Sequence, residues 1–281
     1  MIMGAIITLT TDFGLTDAYV AAMKGVILGI NPEAKLVDIC HTIKPQNIPQ
    51  AAFVLSTAYQ FFPQKTIHVV VVDPGVGTER RAIILRTPSA DFVAPDNGVL
   101  SYVIQQSSTK PVEDIVNVQQ IELEPEMEAV VLTEPRFWRS PVSPTFHGRD
   151  IFAPVAALLS LGFPPIDFGK VITSVTMLPL PRPYQVLDGL LVGHILHIDS
   201  FGNLITNIKN DDLRQIKQAI TIEVGAHLIS GLSHTYAEAR GLLALIGSNG
   251  YLEVSLKGGN ASALLDAEVG DEVRISPGGS Q

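Results

Sequence analysis

The stretch Val69-Val70-Val71-Val72-Asp73-Pro74-Gly75-Val76-Gly77-Thr78-Glu79-Arg80-Arg81 decides the fold. An unbroken run of valines reads as a strand buried on both faces, the pattern of a parallel sheet covered by helices on either side. The run stops at Asp-Pro-Gly, which puts a carboxylate in a turn at the carboxyl end of a core strand. Open α/β sheets bind their ligands at that edge. An unpaired carboxylate is costly to bury, so Asp73 is expected to be there for a reason, with Arg80 or Arg81 as its partner. One of those two arginines is expected to be solvated.

Outward from this strand the chain alternates. Ala5–Thr10 reads as a first strand, and 17–30 as a helix with Ala18, Ala21, Ala22, Val26 and Ile30 on one face and Asp17 as its cap. A strand at 36–39, a helix at 48–62 and an edge pair at 82–86 and 91–94 follow. Pro95-Asp96-Asn97-Gly98 is a strong turn, and 150–161 a further helix. The acidic segment 116–144 is less regular and reads as a surface excursion. This order implies an α/β domain with a mainly parallel sheet over 1–178. Pro179, Pro181 and Pro183 then make a stiff linker, with the boundary near residue 180. Beyond it, over 185–281, short alternating segments punctuated by glycine (189–199, 204–208, 221–224, 242–246, 251–256 and 272–275) imply an all-β barrel domain.

Bulk properties narrow the function. The 281 residues suit two domains, and 46% hydrophobic against 17% charged content supplies real cores. A formal net charge of -9 argues against nucleic-acid or anionic-membrane partners and suits a small-molecule enzyme. Cys40 is the only cysteine, which points to a reducing compartment. With no leader-like start and no apolar run of membrane-spanning length, a cytoplasmic location is expected. His194 and His197 would face opposite sides of a strand, and no convincing metal-ligand set is present. Pro74-Gly75-Val76-Gly77 lacks the Lys-Ser/Thr of a P-loop and the helix of a dinucleotide fingerprint.

Several polar groups remain at strand ends. They are Asp12 with Asp17, Asp73 with the two arginines, Asp96-Asn97-Gly98, and Thr145-Phe146-His147-Gly148-Arg149-Asp150. A parallel sheet brings such ends to one edge, where Asp73, an arginine and His147 could meet. In the second domain, Asp199 and Asn203 bracket the aromatic Phe201, and Gly247-Ser248-Asn249-Gly250 is explained well enough as a hairpin turn.

With these residues in view, the chain resembles the S-adenosylmethionine hydroxide adenosyltransferases, hydrolases related to the fluorinating and chlorinating adenosyl halide synthases. The match runs almost end to end. It is carried by Thr10-Thr11-Asp12-Phe13-Gly14, Tyr19-Val20 with Met23-Lys24-Gly25, Val72 to Gly77, Asp96-Asn97-Gly98, Phe146 to Asp150, Asp199 to Asn207 and Ser248 to Glu253. The resemblance implies hydrolysis of S-adenosyl-L-methionine to adenosine and L-methionine without a cofactor, in a homotrimer whose ligand sites lie between one subunit's first domain and the next subunit's second. It implies Asp73, Arg80 and His147 as the catalytic set, with Asp73 and His147 holding the water and Arg80 favouring hydroxide. Asp12 would hold the ribose hydroxyls, Phe201 would stack on adenine and Asn203 would bond its edge. Asp17, Asp199 and Ser248 would hold the methionine end, and Asn249 and Glu253 are counted with them as substrate-binding. A halide-using relative and a non-catalytic adenosine-binding protein are the alternatives.

Overall fold

The computed structural model describes residues 4–110, 115–186, 189–214, 219–238 and 240–277. Two compact units divide the chain, Met1–Leu180 and Pro181–Gln281.

The first unit runs β1 (Ile6–Thr11), α1 (Tyr19–Ile30), β2 (Lys35–Cys40), α2 (Ile48–Ala58), β3 (Thr66–Val71), β4 (Ala82–Arg86), β5 (Ala90–Pro95), α3 (Ser101–Ser107), β6 (Gln119–Glu122), β7 (Glu128–Leu132), α4 (Ala153–Ser160), β8 (Gly169–Ile172) and β9 (Ser174–Met177). Its main sheet has the order β2-β1-β3-β5-β4-β7-β8. The neighbours from β2 to β5 pair in parallel, and β4, β7 and β8 pair antiparallel. The valine run lies at the centre. Val69 and Val71 join a core with α1 and α4 on one face, while Val70 and Val72 join a second core with α2 and α3 on the other. Burial on both faces is what the uninterrupted apolar run encodes.

The structure corrects four local expectations. Segment 116–144 is not a surface excursion, because it contains β7, inserted between β4 and β8 with Ala129, Val130 and Leu132 buried. The acidic flank reaches into the sheet at Glu128, which lies opposite Arg86 of β4, and the four apolar residues after it pair in the core. Asp17 caps no helix: α1 begins at Tyr19 with Ala18 before it and no side-chain cap. The buried stripe of α1 is Val20, Met23, Val26 and Ile27, since the bulkier side chains gain more by burial than Ala18 and Ala22 do. The helix at 150–161 starts earlier, as a π-helical turn over Gly148–Phe152 leading into α4.

One core group is polar. His68 of β3 stacks on Phe92 with ring centroids 5.0 Å apart and bonds the Thr8 hydroxyl through Nδ1 at 2.7 Å. Burial lowers its pKa from 6.5 to about 4. Above pH 6.5 the ring is neutral in folded and unfolded chains alike. Between 6.5 and about 4 only the unfolded chain gains the proton, so stability falls as pH falls, by roughly 3 kcal/mol in all at 1.4 kcal/mol per unit. Denaturant titrations across this range are expected to show a steeper loss in the wild type than in His68→Leu. Equal slopes would rule out the neutral buried ring.

The second unit contains β10 (Tyr184–Gln185), β11 (Leu191–Ile198), β12 (Leu204–Lys209), α5 (Asn210–Arg214), β13 (Ile220–Val224), β14 (His227–Ser230), β15 (Leu242–Ile246), β16 (Tyr251–Leu256), α6 (Ala261–Leu265) and β17 (Glu272–Pro277). The strands form one antiparallel sheet, β14-β13-β17-β11-β12-β16-β15, with β10 beside β11. The Ser233 amide, just past β14, donates to the Ala244 carbonyl of β15 at 2.8 Å, so the sheet curls to a nearly closed barrel. Ile195, Leu204, Ile222, Leu252, Val254 and Ile275 fill it. The strand β14 was absent from the sequence expectation. Among the described residues, no helix is long and apolar enough to cross a membrane.

Candidate active site

Asp73 follows β3 directly, and its carboxyl is 5% exposed. The loop that follows turns back so that Arg80 faces it. Arg80 Nε lies 2.9 and 3.0 Å from the two carboxylate oxygens, and Nη2 makes a further bond to Oδ2. Charge-assisted forks of this kind fix orientation as well as pairing. The same Nη2 donates to His147 Nδ1 at 2.8 Å, and the guanidinium lies 5.3 Å from the Phe152 ring centroid. Gly77 lets the two loops meet: its φ is +79°, and a Cβ there would lie 2.5 Å from the Pro144 carbonyl oxygen. The expected meeting of Asp73, an arginine and His147 is therefore present, with Arg80 in the middle.

Arginine has only donors to offer, so His147 Nδ1 accepts and its proton sits on Nε2. Burial and the adjacent Arg80 charge lower the His147 pKa, against weaker opposing effects of Asp73 and Asp150. The ring is thus neutral at neutral pH. It cannot take a proton at Nδ1 without releasing Arg80. Asp150 anchors the other side of this segment: it accepts two bonds from Arg149 and one from the Ser143 amide, and burial fails to offset them, so its carboxyl stays below the usual range.

Arg81 is not solvated as expected. It bonds the Asp96 carboxylate through Nε at 2.7 Å and Nη2, and reaches Gln120 Oε1 and the Ser174 carbonyl.

Asp12 sits in the loop after β1, where its Oδ2 accepts the Gln46 amide at 2.7 Å. The neighbouring Phe13 makes a ring cluster with Tyr19 and Phe146, centroids 5.2 to 5.7 Å apart. Since Phe146 adjoins His147, the loops after β1 and β3 converge on one edge. Asp17 is exposed in the same loop. The ring cluster went unnoticed in the sequence because its members come from three separate segments. Two concavities of about 590 and 520 Å³ lie elsewhere in this unit, and Asp73, Arg80 and His147 line neither.

In the second unit Asp199 organises its own loop. Oδ1 accepts the amides of Phe201 and Asn203, each at 2.9 Å, and Oδ2 accepts the Asn203 side-chain amide. Phe201 is held 74% exposed on this fixed turn. Ser248 and Asn249 are exposed in the β15–β16 turn. Glu253 is buried, its Oε1 accepting Tyr236 Oη at 2.6 Å and Ser255 Oγ at 2.8 Å. Burial, the Glu253 bond and the charges of Glu253 and Asp199 push Tyr236 up to about 12. Tyr236 had no sequence signal, being 17 positions from its partner.

Comparison with known proteins gives a consistent result. Residues 7–169 match the SAM hydroxide adenosyltransferase N-terminal domain, and 193–274 the corresponding C-terminal domain. The chain is 36% identical to an (R)-S-adenosyl-L-methionine hydrolase of Methanocaldococcus jannaschii, covering 96% of this chain and 95% of that protein. It is 27% identical to a fluorinase of Nocardia brasiliensis, with 97% of each covered. A solved structure of an uncharacterized conserved protein from Thermotoga maritima superimposes with a TM-score of 0.84 at 34% identity, covering 96% of this chain and 99% of the other.

Proposed function

The chain belongs to the S-adenosylmethionine hydroxide adenosyltransferase family, and from that premise we propose that it hydrolyses S-adenosyl-L-methionine to adenosine and L-methionine by attack of water at C5′. The observation that carries this reading is the bonded series Asp73–Arg80–His147 at the strand edge. Water is a weak nucleophile that must be oriented and relieved of a proton, whereas a halide needs neither.

The oxygen–C5′ bond forms in line as the C5′–sulfur bond breaks. The bonding pair goes to sulfur, so methionine leaves as a neutral thioether and needs no acid. Asp73 is the acceptor for the water proton, because its carboxylate keeps lone pairs beyond those that Arg80 engages, whereas the single acceptor site of His147, Nδ1, is taken by Arg80. Arg80 stabilises the developing hydroxide character, and His147 contributes the Nε2 proton as an orienting donor. The neutral leaving group makes a metal unnecessary. Asp12 is assigned to the ribose hydroxyls, Phe201 and Asn203 to adenine, and Asp17, Asp199 and Ser248 to the methionine end, with Asn249 and Glu253 as further substrate-binding residues. The exposure of Phe201 supports its part, since a base can stack only on an open ring face. The fixed Asp199 turn lowers the ordering cost of such stacking. A homotrimer and a cytoplasmic location belong to the same proposal, and light scattering and cell fractionation check them.

Run in heavy-oxygen water with excess chloride and a chelator, the reaction is expected to place the label on the adenosine 5′-hydroxyl and none on methionine. Phe201→Ala is expected to raise KM in this assay. A 5′-halo nucleoside as main product would establish the halogenating alternative, free adenine would mean glycosidic cleavage, and no product on long incubation would leave a binding protein.

A further inference from the structure

The loop that carries Asp73 and Arg80 is tied at both ends to one neighbouring turn. At its start, Asn97 Nδ2 donates to the Val72 carbonyl at 2.9 Å, one residue before Asp73. At its end, the Asp96 amide donates to the Arg81 carbonyl at 2.9 Å, and the Arg81 guanidinium returns two bonds to the Asp96 carboxylate. The turn itself is held. Asp96 Oδ1 accepts the Thr176 amide at 2.7 Å, and Asn97 Oδ1 accepts the Val99 amide at 3.2 Å. Gly98, at φ +92°, lies so close to Leu178 that a Cβ would come within 2.5 Å of its Cγ. Val72 is fully buried, so its carbonyl has no water to replace a lost partner.

We infer that Asn97 is a positioning residue for the Asp73–Arg80 pair. Asn97 fixes where β3 ends, Asp96 fixes where β4 begins, and the span between them decides whether carboxylate and guanidinium face each other. A displacement of about 1 Å in such a pair costs on the order of 10²-fold in rate. The inference rests on the hydrolase reading above for its kinetic effect, but not for its geometric one.

The test uses the full chain with Asn97→Asp, which keeps shape and the acceptor for Val99 but loses the donor to Val72. Expected is a fall in kcat of about 10²-fold, with KM for S-adenosylmethionine within about threefold of wild type, since the substrate-binding groups are untouched. The second readout is independent of turnover. The Arg80 Nε–H resonance of nitrogen-15-labelled protein, assigned by its absence in Arg80→Lys, is expected to exchange slowly with water in the wild type and rapidly in Asn97→Asp, while the backbone amide spectrum stays dispersed. If Asn97→Asp does not fold, Asn97→Ser is read in the same way. Rapid exchange in the variant of a wild type that shows no turnover would overturn the hydrolase reading and support the positioning role. Unchanged exchange, whatever kcat does, or a rise in KM alone, overturns the positioning role.

Discussion

Arg80→Ala is expected to lower kcat by about 10²–10³-fold, the typical cost of removing a preorganised charge from the reacting centre. The size follows from its place in the series. Arg80 bonds both oxygens of Asp73 and also His147, so its loss unlinks the proton acceptor from the orienting ring in one step. Arg80→Lys restores the charge but not the fork. One ammonium cannot reproduce the bidentate grip and reach His147 as well, so recovery is expected to be partial. Single-turnover measurement of adenosine release checks this, and a rate within threefold of wild type for Arg80→Ala would remove Arg80 from the mechanism.

Arg81→Met is expected to act on stability. Asp96 has a side chain only 2% exposed, and its ion-pair partner is Arg81. Taking one member from such a pair leaves a buried charge uncompensated, at a cost of about 3 kcal/mol, the low end for buried pairs because Arg81 is 31% exposed. Denaturant unfolding checks it, and a difference below about 1 kcal/mol would contradict it. Adding Asp96→Asn should recover part of the loss, since the stranded charge is then gone. The adjacent arginines thus differ in kind: Arg80 faces the reacting centre, and Arg81 holds the loop that carries it.

Much of this was legible in sequence because the signals were local. The valine run specified a two-faced strand whatever its surroundings, and Asp-Pro-Gly specified where it stops. The place of Asp73 followed from the rule that parallel strand ends share an edge, whereas His147 lies beyond the antiparallel β7 and joins through Arg80. What was not legible depended on partners far along the chain. Ala129–Leu132 looks like any short apolar run between acidic flanks, and only the open edge of β4 makes it a core strand. One arginine of the pair was expected to be solvated because the partners of Arg81, Asp96, Gln120 and Ser174, lie 15, 39 and 93 positions away. The buried face of α1 was misplaced because alanines satisfied the helical period as well as Val20, Met23 and Ile27 did. At Asp199 sequence distinguished a hairpin turn from a ligand site poorly, and the structure shows why: its carboxylate bonds organise the turn that holds Phe201 out.

The two halves of the Asp73–Arg80–His147 series differ greatly in chain separation. Asp73 and Arg80 are seven positions apart, whereas Arg80 and His147 are 67 apart. Loop-closure entropy grows as the logarithm of that separation, so recruiting the histidine costs about 2 kcal/mol more than closing the ion pair. The ion pair is therefore a local assembly, closed within the single loop that joins β3 to β4. The histidine is brought to the pair only by the packing of Ile151, Phe152 and Ala153 into the main core, so the geometry of the site is bound to the integrity of that core.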